Sequence, residues 1–411
     1  MKLRWTPHLT LLVLSLVYMC NAIDRNVLTV LMEPIKRAFT LSDSRLGLLA
    51  TGFAVSYAFS GLVFGITADR VNRRNLIAGC LVFWSAATAL CGAAGSFILL
   101  FLARLGVGIG EAGASPAAMS MIADLYPAGR RGTAMSVYYL STSIGFMIAL
   151  ALGGLVERYL GWRATFLLAA IPGALLVPVL LFGVREPARG GLDRADSSGP
   201  PPSFATFAKF VLAQPALILL VIGATINVTS LAGVGAWTVS YFVRTHGVSI
   251  ATAGATVGGV QGLAGIAGTL SGGVLGDAFG RRDVRARLWV VSAATLIGLA
   301  CTLGWIAAPD FRVAAILYGM AAFAHSIWYG PVYSLGQELV RVRMRATMAA
   351  MLYLISNLGA GAGPAIIGYL SDHYGGLGFA LVSVAAINVV GAVVFFLAAA
   401  RLAAGLERAG T

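Results

Sequence analysis

The sequence predicts an all-α membrane protein in which twelve transmembrane helices form two six-helix bundles. Three observations predict this class: an apolar composition, a series of long apolar stretches, and an internal repeat. Of the 411 residues, 58 % are hydrophobic and 11 % are charged, and the mean hydropathy is +0.85. Because soluble domains carry about 25 % charged residues, this composition excludes a water-soluble globule and indicates that lipid surrounds most of the chain.

The cysteine and charge patterns agree with a membrane location. The four cysteines lie inside apolar stretches, at Cys20, Cys80, Cys91 and Cys301. They lack the spacing of a metal site or a disulfide framework, so we interpret them as packing residues. The net charge of +13 comes from short basic clusters between apolar stretches, which differ from the basic stripe of a nucleic-acid-binding helix. We therefore expect no cofactor, no metal and no nucleic-acid partner.

The apolar stretches define the helices in order. A helix needs about 20 residues to cross the bilayer, since it rises about 1.5 Å per residue. Twelve stretches reach this length, over residues 9–31, 45–68, 76–94, 97–124, 132–156, 163–183, 211–243, 251–276, 288–307, 312–338, 346–371 and 377–400. The first stretch also resembles a signal peptide or lipoprotein leader that ends near Cys20. Tyr18 and Met19 are too bulky for a cleavage site, so we expect this helix to remain.

The distribution of lysine and arginine predicts the orientation in the membrane, because basic loops stay on the cytoplasmic side. With the N-terminus inside, 20 of the 29 basic residues fall in cytoplasmic segments, seven fall outside and two lie within spans. This imbalance places both termini in the cytoplasm and the protein in the cytoplasmic (inner) membrane.

One segment interrupts the apolar pattern. Residues 185–209 are rich in Gly, Ser and Pro, which is typical of a flexible connector. The segment divides the chain into an N-terminal bundle at 1–184, a cytoplasmic linker at 185–210 and a C-terminal bundle at 211–411.

The two halves repeat each other. Gly65 and Asp69 with Arg73-Arg74 recur 208 positions later as Gly273 and Asp277 with Arg281-Arg282. A second set recurs at an offset of 214 positions and comprises Asp124/Glu338, Arg131/Arg345, Thr133/Thr347, Tyr139/Tyr353, Gly145/Gly359, Gly154/Gly368 and Gly161/Gly375. Two six-span halves with matching loops are typical of a transporter built from parallel repeats about a membrane-normal axis, with the binding site between them.

Two motifs resemble a known family. Residues 65–74, GITADRVNRR, resemble the loop signature of the major facilitator superfamily between its second and third helices, with Asn72 where a glycine is usual. Arg104 with Gly108 and Gly110 resembles the fourth-helix motif of the same superfamily. The resemblance covers the whole chain and implies the major facilitator fold.

Three further segments resemble the Spinster-like transporters of that superfamily. They are residues 21–25 (NAIDR), residues 104–112 (RLGVGIGEA) and residues 123–127 (ADLYP). The glutamate that follows Gly-x-Gly, Glu111, is the most distinguishing feature. The resemblance implies proton-coupled export or flipping of lysophospholipid or sphingolipid-type amphiphiles. Organic-anion symporters of the superfamily also carry an Asp-Arg pair in helix 1, so small organic anions are the alternative substrates.

Four ionisable residues lie within the spans, namely Asp24, Arg25, Arg104 and Glu111. Such residues remain in a membrane only with a partner or a watery cavity. Arg104 and Glu111 are seven residues apart and share a face of helix 4, whereas Asp24 and Arg25 point about 100° apart. Glu111 lies near the midplane, and Arg104 is level with Asp24 and Arg25. We predict that these four residues couple transport to protons, because moving an arginine away from Glu111 would favour the protonated acid. A purely structural ion pair is the alternative.

Acidic and basic residues at the cytoplasmic ends of the helices predict a second kind of site. We expect them to bridge adjacent helices and to latch the outward-facing state. The predicted cytoplasmic gate comprises Asp69, Arg73, Asp124, Arg131, Asp277, Arg281 and Glu338. In this prediction Asp69 pairs with Arg73, Asp124 with Arg130 or Arg131, Asp277 with Arg281 or Arg282, and Glu338 with Arg343 or Arg345. The alternative is that the arginines only set the topology.

Polar and aromatic side chains within the spans are the substrate-binding candidates. They are Tyr57, Tyr139, Asn227, Trp237, His325, Tyr329 and Asn357. Gly330 and Pro331 predict a bend in helix 10. The sequence holds no nucleophile with a base, no paired catalytic carboxylates and no phosphate-binding loop. We therefore predict a transporter rather than an enzyme, acting as a monomer in the lipid bilayer on a small amphipathic substrate and protons.

Overall fold

The computed structural model describes residues 6–68, 70–188, 204–341 and 344–410. All regular elements in these ranges are helices, which confirms the predicted all-α class. They are α1 (Pro7–Phe39), α2 (Asp43–Ala68), α3 (Arg73–Ala93), α4 (Phe97–Ala112), α5 (Ala114–Leu125), α6 (Ala128–Gly183), α7 (Phe204–Leu212), α8 (Pro215–His246), α9 (Ile250–Gly280), α10 (Ala286–Ala307), α11 (Phe311–Ser326), α12 (Tyr329–Glu338), α13 (Arg345–His373) and α14 (Gly376–Gly410).

The helices match the twelve predicted spans when one fused pair of spans and two divided spans are taken into account. In the described ranges, ten stretches are long and apolar enough to cross a membrane, and the one at 133–183 holds the fifth and sixth spans. The predicted eleventh span corresponds to α13, which has 29 residues. The fourth span is divided into α4 and α5 at Gly113, and the tenth is divided into α11 and α12 at Ile327 and Trp328.

Glycines produce the sharp turn between the last two spans of each half. Inside α6, Gly161 has φ 80° and ψ 169°, so the two helices join without a loop. Gly375 and Gly376, between α13 and α14, also have positive φ values, 64° and 80°. A side chain is strained in this region of conformational space, whereas glycine is not. The repeated pair Gly161/Gly375 therefore marks the same turn in both halves.

Side-chain caps begin several of the helices and explain one departure from the family signature. Asn72, which replaces the usual glycine, accepts a hydrogen bond from the Asn75 backbone N–H at 2.9 Å and caps α3. Ser96 caps α4, and Asp310 caps α11. Such caps satisfy backbone donors that the first turn of a helix leaves unpaired.

The chain divides into two compact units. Unit 1 comprises Met1–Ser198 with Gly247–Gly258, and unit 2 comprises Gly199–His246 with Gly259–Thr411. Each has its own buried apolar cluster, which includes Trp84 and Met121 in unit 1 and Trp328 and Phe395 in unit 2. Large apolar side chains are also strongly exposed on the outer helix faces, for example Phe182 at 83 %. Lipid covers such surfaces in a membrane protein, as the composition predicted.

The predicted linker is described only at its two ends. Residues 189–203 lie outside the described ranges, while α7 covers most of the remainder. Phe207 and Val211 of α7 are buried in the apolar cluster of unit 2. The part of the linker that α7 forms is therefore an amphipathic helix packed on that unit.

Candidate functional site in unit 1

Glycine on α4 allows the site to form by bringing α2 close. A Cβ atom on Gly108 would lie 2.5 Å from the Phe53 carbonyl oxygen, so only glycine fits at this contact. The close approach places Phe53 and Tyr57 of α2 beside the charged residues of α1 and α4. The glycines that the sequence shows around Glu111 thus determine how near the aromatic rings come.

Arg25 and Glu111 form the central ion pair. Arg25 Nη2 lies 3.6 Å from Glu111 Oε2, which is longer than a hydrogen bond. The Glu111 side chain is fully buried, while 29 % of the Arg25 side chain is exposed. The pair is therefore a loose contact between a buried carboxyl group and a partly accessible guanidinium.

Arg104 is held by other contacts. Its Nη1 donates a hydrogen bond to the backbone carbonyl of Asp24 at 3.0 Å, and the residue is 1 % exposed. Its guanidinium lies 4.7 Å from the centre of the Phe53 ring. Arg25 lies 5.4 Å from the same ring and 4.6 Å from the Tyr57 ring. Phe53 therefore makes cation–π contacts with both arginines.

Asp24 points away from Arg25, as the helical geometry of adjacent residues predicts. Its carboxyl group is 1 % exposed and faces the Thr88 hydroxyl and the Trp84 indole of α3. Asp24 is thus directed at α3, and Arg25 is directed at α4.

Tyrosines extend the site along α1 and α6. The rings of Tyr18 and Tyr138 stack at 4.5 Å, and Tyr139 meets both rings edge-on. Tyr139 is 46 % exposed, and its hydroxyl donates to the Met119 sulfur at 3.0 Å. Two of the predicted substrate candidates, Tyr57 and Tyr139, therefore lie in unit 1 among aromatic side chains. Tyr57 lies directly beside Arg25.

The candidates in unit 2 occupy different surroundings. Asn227 is 1 % exposed and donates to the Thr295 hydroxyl at 3.3 Å. Trp237 is fully buried and donates to the Pro364 carbonyl at 3.0 Å. These two side chains join helices of unit 2. Tyr329 is 38 % exposed beside the Trp328 ring, and Asn357 is half-buried on α13.

His325 is likewise enclosed within unit 2. It is 7 % exposed, and its Nε2 lies 3.2 Å from the Thr302 hydroxyl of α10. The helix that carries it ends at Ser326, one residue further on.

Arg73 organises the end of unit 1 where α3 begins. It is 1 % exposed and forms ion pairs with Asp124 and with Glu186, the latter at 2.6 Å. It also donates to the Ser120 hydroxyl and to the Pro187 carbonyl, both at 2.8 Å. The guanidinium therefore ties α3 to α5 and to the segment after α6. Glu186 is not recognisable as a partner from the sequence, because an acid in a polar connector carries no distinctive signal.

The equivalent end of unit 2 carries a more exposed pair. Arg287 Nη1 lies 2.7 Å from Glu338, with exposures of 18 % and 41 %. Arg287 follows Arg73 by 214 positions, as Glu338 follows Asp124. The helices therefore align Arg73 with Arg287, although the loop motif alone had matched it to Arg281. We use the term repeat counterparts for residues related by an offset of 208 up to the end of α2 and of 214 from the start of α3.

These contacts revise the expected partners at the helix ends. Asp124 pairs with Arg73, and Arg131 donates to the Ala123 and Tyr126 carbonyls. Glu338 pairs with Arg287, while Arg343 and the Arg345 side chain lie outside what the structure describes. Within the described ranges, Asp277 and Arg281 form no ion pair with each other. Asp69 lies outside the described residues.

Comparison with known proteins decides the family. Residues 14–364 match the Major Facilitator Superfamily. The chain belongs to this superfamily. As a superfamily member with these helices it is a multi-pass membrane transporter, not an enzyme.

The relatives of this superfamily member include Spinster proteins. It is 28 % identical over 390 residues to protein spinster homolog 1 of Xenopus laevis, covering 88 % of this chain and 72 % of the relative. It is 32 % identical over 401 residues to an MFS-type efflux pump of Mycolicibacterium smegmatis, covering 95 % and 92 %. These relatives span nearly the whole chain.

A solved structure agrees with this placement. The crystal structure of a bacterial homolog of the human lysosomal transporter Spinster, inward-facing and unoccupied, superimposes with a TM-score of 0.89. The two proteins are 29 % identical, with 97 % of this chain and 98 % of that chain covered. The predicted resemblance to Spinster-like transporters is confirmed.

Proposed function

We propose that the protein is a proton-coupled secondary transporter of an amphipathic, lipid-like substrate of the lysophospholipid or sphingolipid type. It works by alternating access in the cytoplasmic membrane, with both termini in the cytoplasm. The observation that carries this proposal is the loose ion pair between buried Glu111 and partly exposed Arg25, set among aromatic rings.

The geometry of the pair supports proton coupling. At 3.6 Å the two groups attract each other without a hydrogen bond to lock them. Because Glu111 is fully buried, its charged form depends on the neighbouring arginine, and separation of the two favours the protonated acid. A small displacement of α1 relative to α4 would therefore exchange a proton at Glu111.

The surroundings of Arg25 support an amphipathic substrate. Its exposed guanidinium can bind a phosphate or carboxylate group. The Phe53 and Tyr57 rings flank the same side chain, and the partly exposed Tyr139 ring lies on α6. A cation bordered by rings fits a ligand whose anionic head adjoins an apolar part. A small organic anion uses only the cation, and it is the competing substrate class.

The decisive experiment is uptake by the purified protein in liposomes under an imposed pH gradient without ATP. We expect Glu111→Gln to abolish gradient-driven uptake and to retain substrate binding and exchange, because the amide keeps the shape but does not titrate. Glu157→Gln, which alters a half-buried carboxyl group on α6, serves as the matched control and should transport like the parent. Gradient-driven uptake that persists in Glu111→Gln would refute the coupling role.

The substrate class is tested by thermal shift with the parent and with Arg25→Ala. Lysophospholipids, single-chain sphingolipids and small organic acids are compared at equal concentrations. We expect the lipids to raise the melting temperature of the parent and to lose this effect in Arg25→Ala. Stabilisation by the organic acids alone would establish the competing substrate class.

A further inference from the structure

The broken helix that carries Glu111 has a counterpart in unit 2 that breaks at the same repeat position. Helix α4 runs from Phe97 to Ala112, and α11 runs from Phe311 to Ser326. The first residues of the two helices are 214 positions apart, and so are their last residues and their capping residues, Ser96 and Asp310. The offset found in the loops therefore extends through the whole of this helix.

The repeat counterpart of Glu111 is His325. Each is the next-to-last residue of its helix, and their exposures are 0 % and 7 %. The hydroxyl beside His325 has a counterpart in unit 1 as well, because Thr302 follows Thr88 by 214 positions. Thr88 faces the Asp24 carboxyl group, and Thr302 lies 3.2 Å from His325 Nε2. Unit 2 therefore repeats a buried titratable side chain at a helix break, and the threonine that faces Asp24 in unit 1 corresponds to the one that faces His325 in unit 2.

Unit 2 has no cation at the position that Arg104 occupies in unit 1. The counterpart of Arg104 is Tyr318, and the counterpart of Phe53 is Gln261. Where Arg104 lies over the Phe53 ring, the Tyr318 hydroxyl donates to Gln261 Oε1 at 2.9 Å. A neutral hydrogen bond thus replaces a cation–π contact.

Within the described residues, the polar groups placed against the His325 ring are uncharged. Helix α10 presents the Thr302 hydroxyl and the Gly298 carbonyl. A Cβ atom on Gly298 would lie 2.8 Å from His325 Nδ1, so α10 lies directly against the ring. One turn or more before His325, the Tyr318 hydroxyl meets two further uncharged groups, Thr238 of α8 and Gln261 of α9. In the described part of the chain, His325 Nδ1 has no hydrogen-bond partner.

We propose that His325 is a second proton-binding site, located in unit 2 at the break between α11 and α12. The proton adds to Nδ1 of the neutral imidazole and gives an imidazolium, which donates from Nδ1 to the Gly298 carbonyl and from Nε2 to the Thr302 hydroxyl. Both acceptors are uncharged, so the cation favours conformations in which the break at Ile327 and Trp328 opens the ring to water. Imidazole is the side chain suited to this exchange near neutral pH.

The two sites differ in which protonation state carries the charge, although protonation adds one unit of positive charge at each. Protonation removes the negative charge of Glu111 and adds a positive charge at His325. The pH dependence of the conformational equilibrium should therefore contain two components, one that Glu111→Gln abolishes and one that His325→Gln abolishes. This inference rests on the proposed function only in assuming that proton uptake is linked to the transport conformations.

Nuclear magnetic resonance can test the site directly, because the chain has four histidines. The full-length protein, labelled with ¹⁵N-histidine, is reconstituted in lipid nanodiscs and titrated from about pH 5 to pH 8. A variant with His8, His246 and His373 changed to Gln leaves His325 as the single imidazole. We expect its resonances to change from the neutral to the imidazolium pattern within this range, in the parent and in Glu111→Gln. A neutral pattern throughout, with and without an added lysophospholipid, would overturn the proposal.

Substrate exchange between two equal-pH compartments gives an independent readout. We expect His325→Gln to remove one component of the pH profile, while His373→Gln, a change at an exposed histidine, keeps both. An unchanged profile in His325→Gln would also overturn the proposal. If Glu111→Gln retains gradient-driven uptake while His325 still titrates, the proposed role of Glu111 fails and the second site stands.

Discussion

At the scale of single residues, Phe53 determines how two arginines share one small volume. Its ring contacts the guanidinium of Arg25 and that of Arg104. Two like charges repel each other most strongly in a weakly polarisable interior, and each cation–π contact contributes about 0.5–2 kcal/mol. The ring therefore offsets part of the repulsion between the two cations, one of which lies beside Glu111.

Replacement of this ring gives the first prediction. Phe53→Leu should lower the free energy of unfolding by about 1–3 kcal/mol and shift the pH profile of transport, because Arg25 loses the support that directs it to Glu111. Thermal unfolding in detergent and uptake between about pH 5 and pH 8 measure the two effects. Phe59→Leu, on the exposed face of the same helix at 67 % exposure, is the control. Equal behaviour of the two variants would contradict the role of Phe53.

At the scale of helices, the contact between α2 and α4 depends on Gly108. The site exists because the Phe53 carbonyl approaches α4 where a side chain is absent. Gly108→Ala should therefore push the helices apart, destabilise the protein by about 1–3 kcal/mol and impair proton-driven uptake. Gly61→Ala places the same methyl group on α2, where no atom lies within 4 Å, and should be tolerated. Melting temperatures of both variants in one detergent check the difference.

The ion pairs at the start of α3 and α10 lead to a contrasting prediction. Arg73 is 1 % exposed and holds two acids, whereas Arg287 and Glu338 are partly solvated. Removal of one partner from a buried pair costs about 3–5 kcal/mol, but an exposed pair contributes about 0–1 kcal/mol. Arg73→Ala should therefore destabilise the protein strongly, and Arg287→Ala should have little effect. Chemical denaturation followed by tryptophan fluorescence compares them, and similar losses would show that burial is not decisive.

At the scale of the whole molecule, the proposed orientation is tested by labelling from each side of the membrane. Arg130 and Arg158 are both exposed, at opposite ends of the first part of α6. Arg130→Cys should react with an impermeant maleimide only from the cytoplasmic side, and Arg158→Cys only from the opposite side. The parent controls for its four native cysteines, three of which are buried. Reversed labelling would invert the orientation.

The sequence by itself determined the number, order and type of the spans and suggested several residues of the candidate site. Long apolar stretches predict spans because hydrocarbon requires every backbone polar group to be paired within a helix. The repeat predicted equivalent turns at Gly161 and Gly375, and both have positive φ. Arg25 and Glu111 could be selected because charged residues are rare within spans, and the helical periodicity already separated Arg25 from Asp24.

Only the tertiary structure decided which side chains meet. The sequence predicted Arg130 or Arg131 as partners of Asp124, and the structure adds Arg73, which binds both Asp124 and Glu186. In the sequence, Phe53 does not stand out among the apolar residues of α2. Only the contact at Gly108 places its ring beside two guanidinium groups. Periodicity determines the face of one helix on which a residue lies. Partners between helices depend on helix separation, register and side-chain reach, and these follow from packing of the whole bundle.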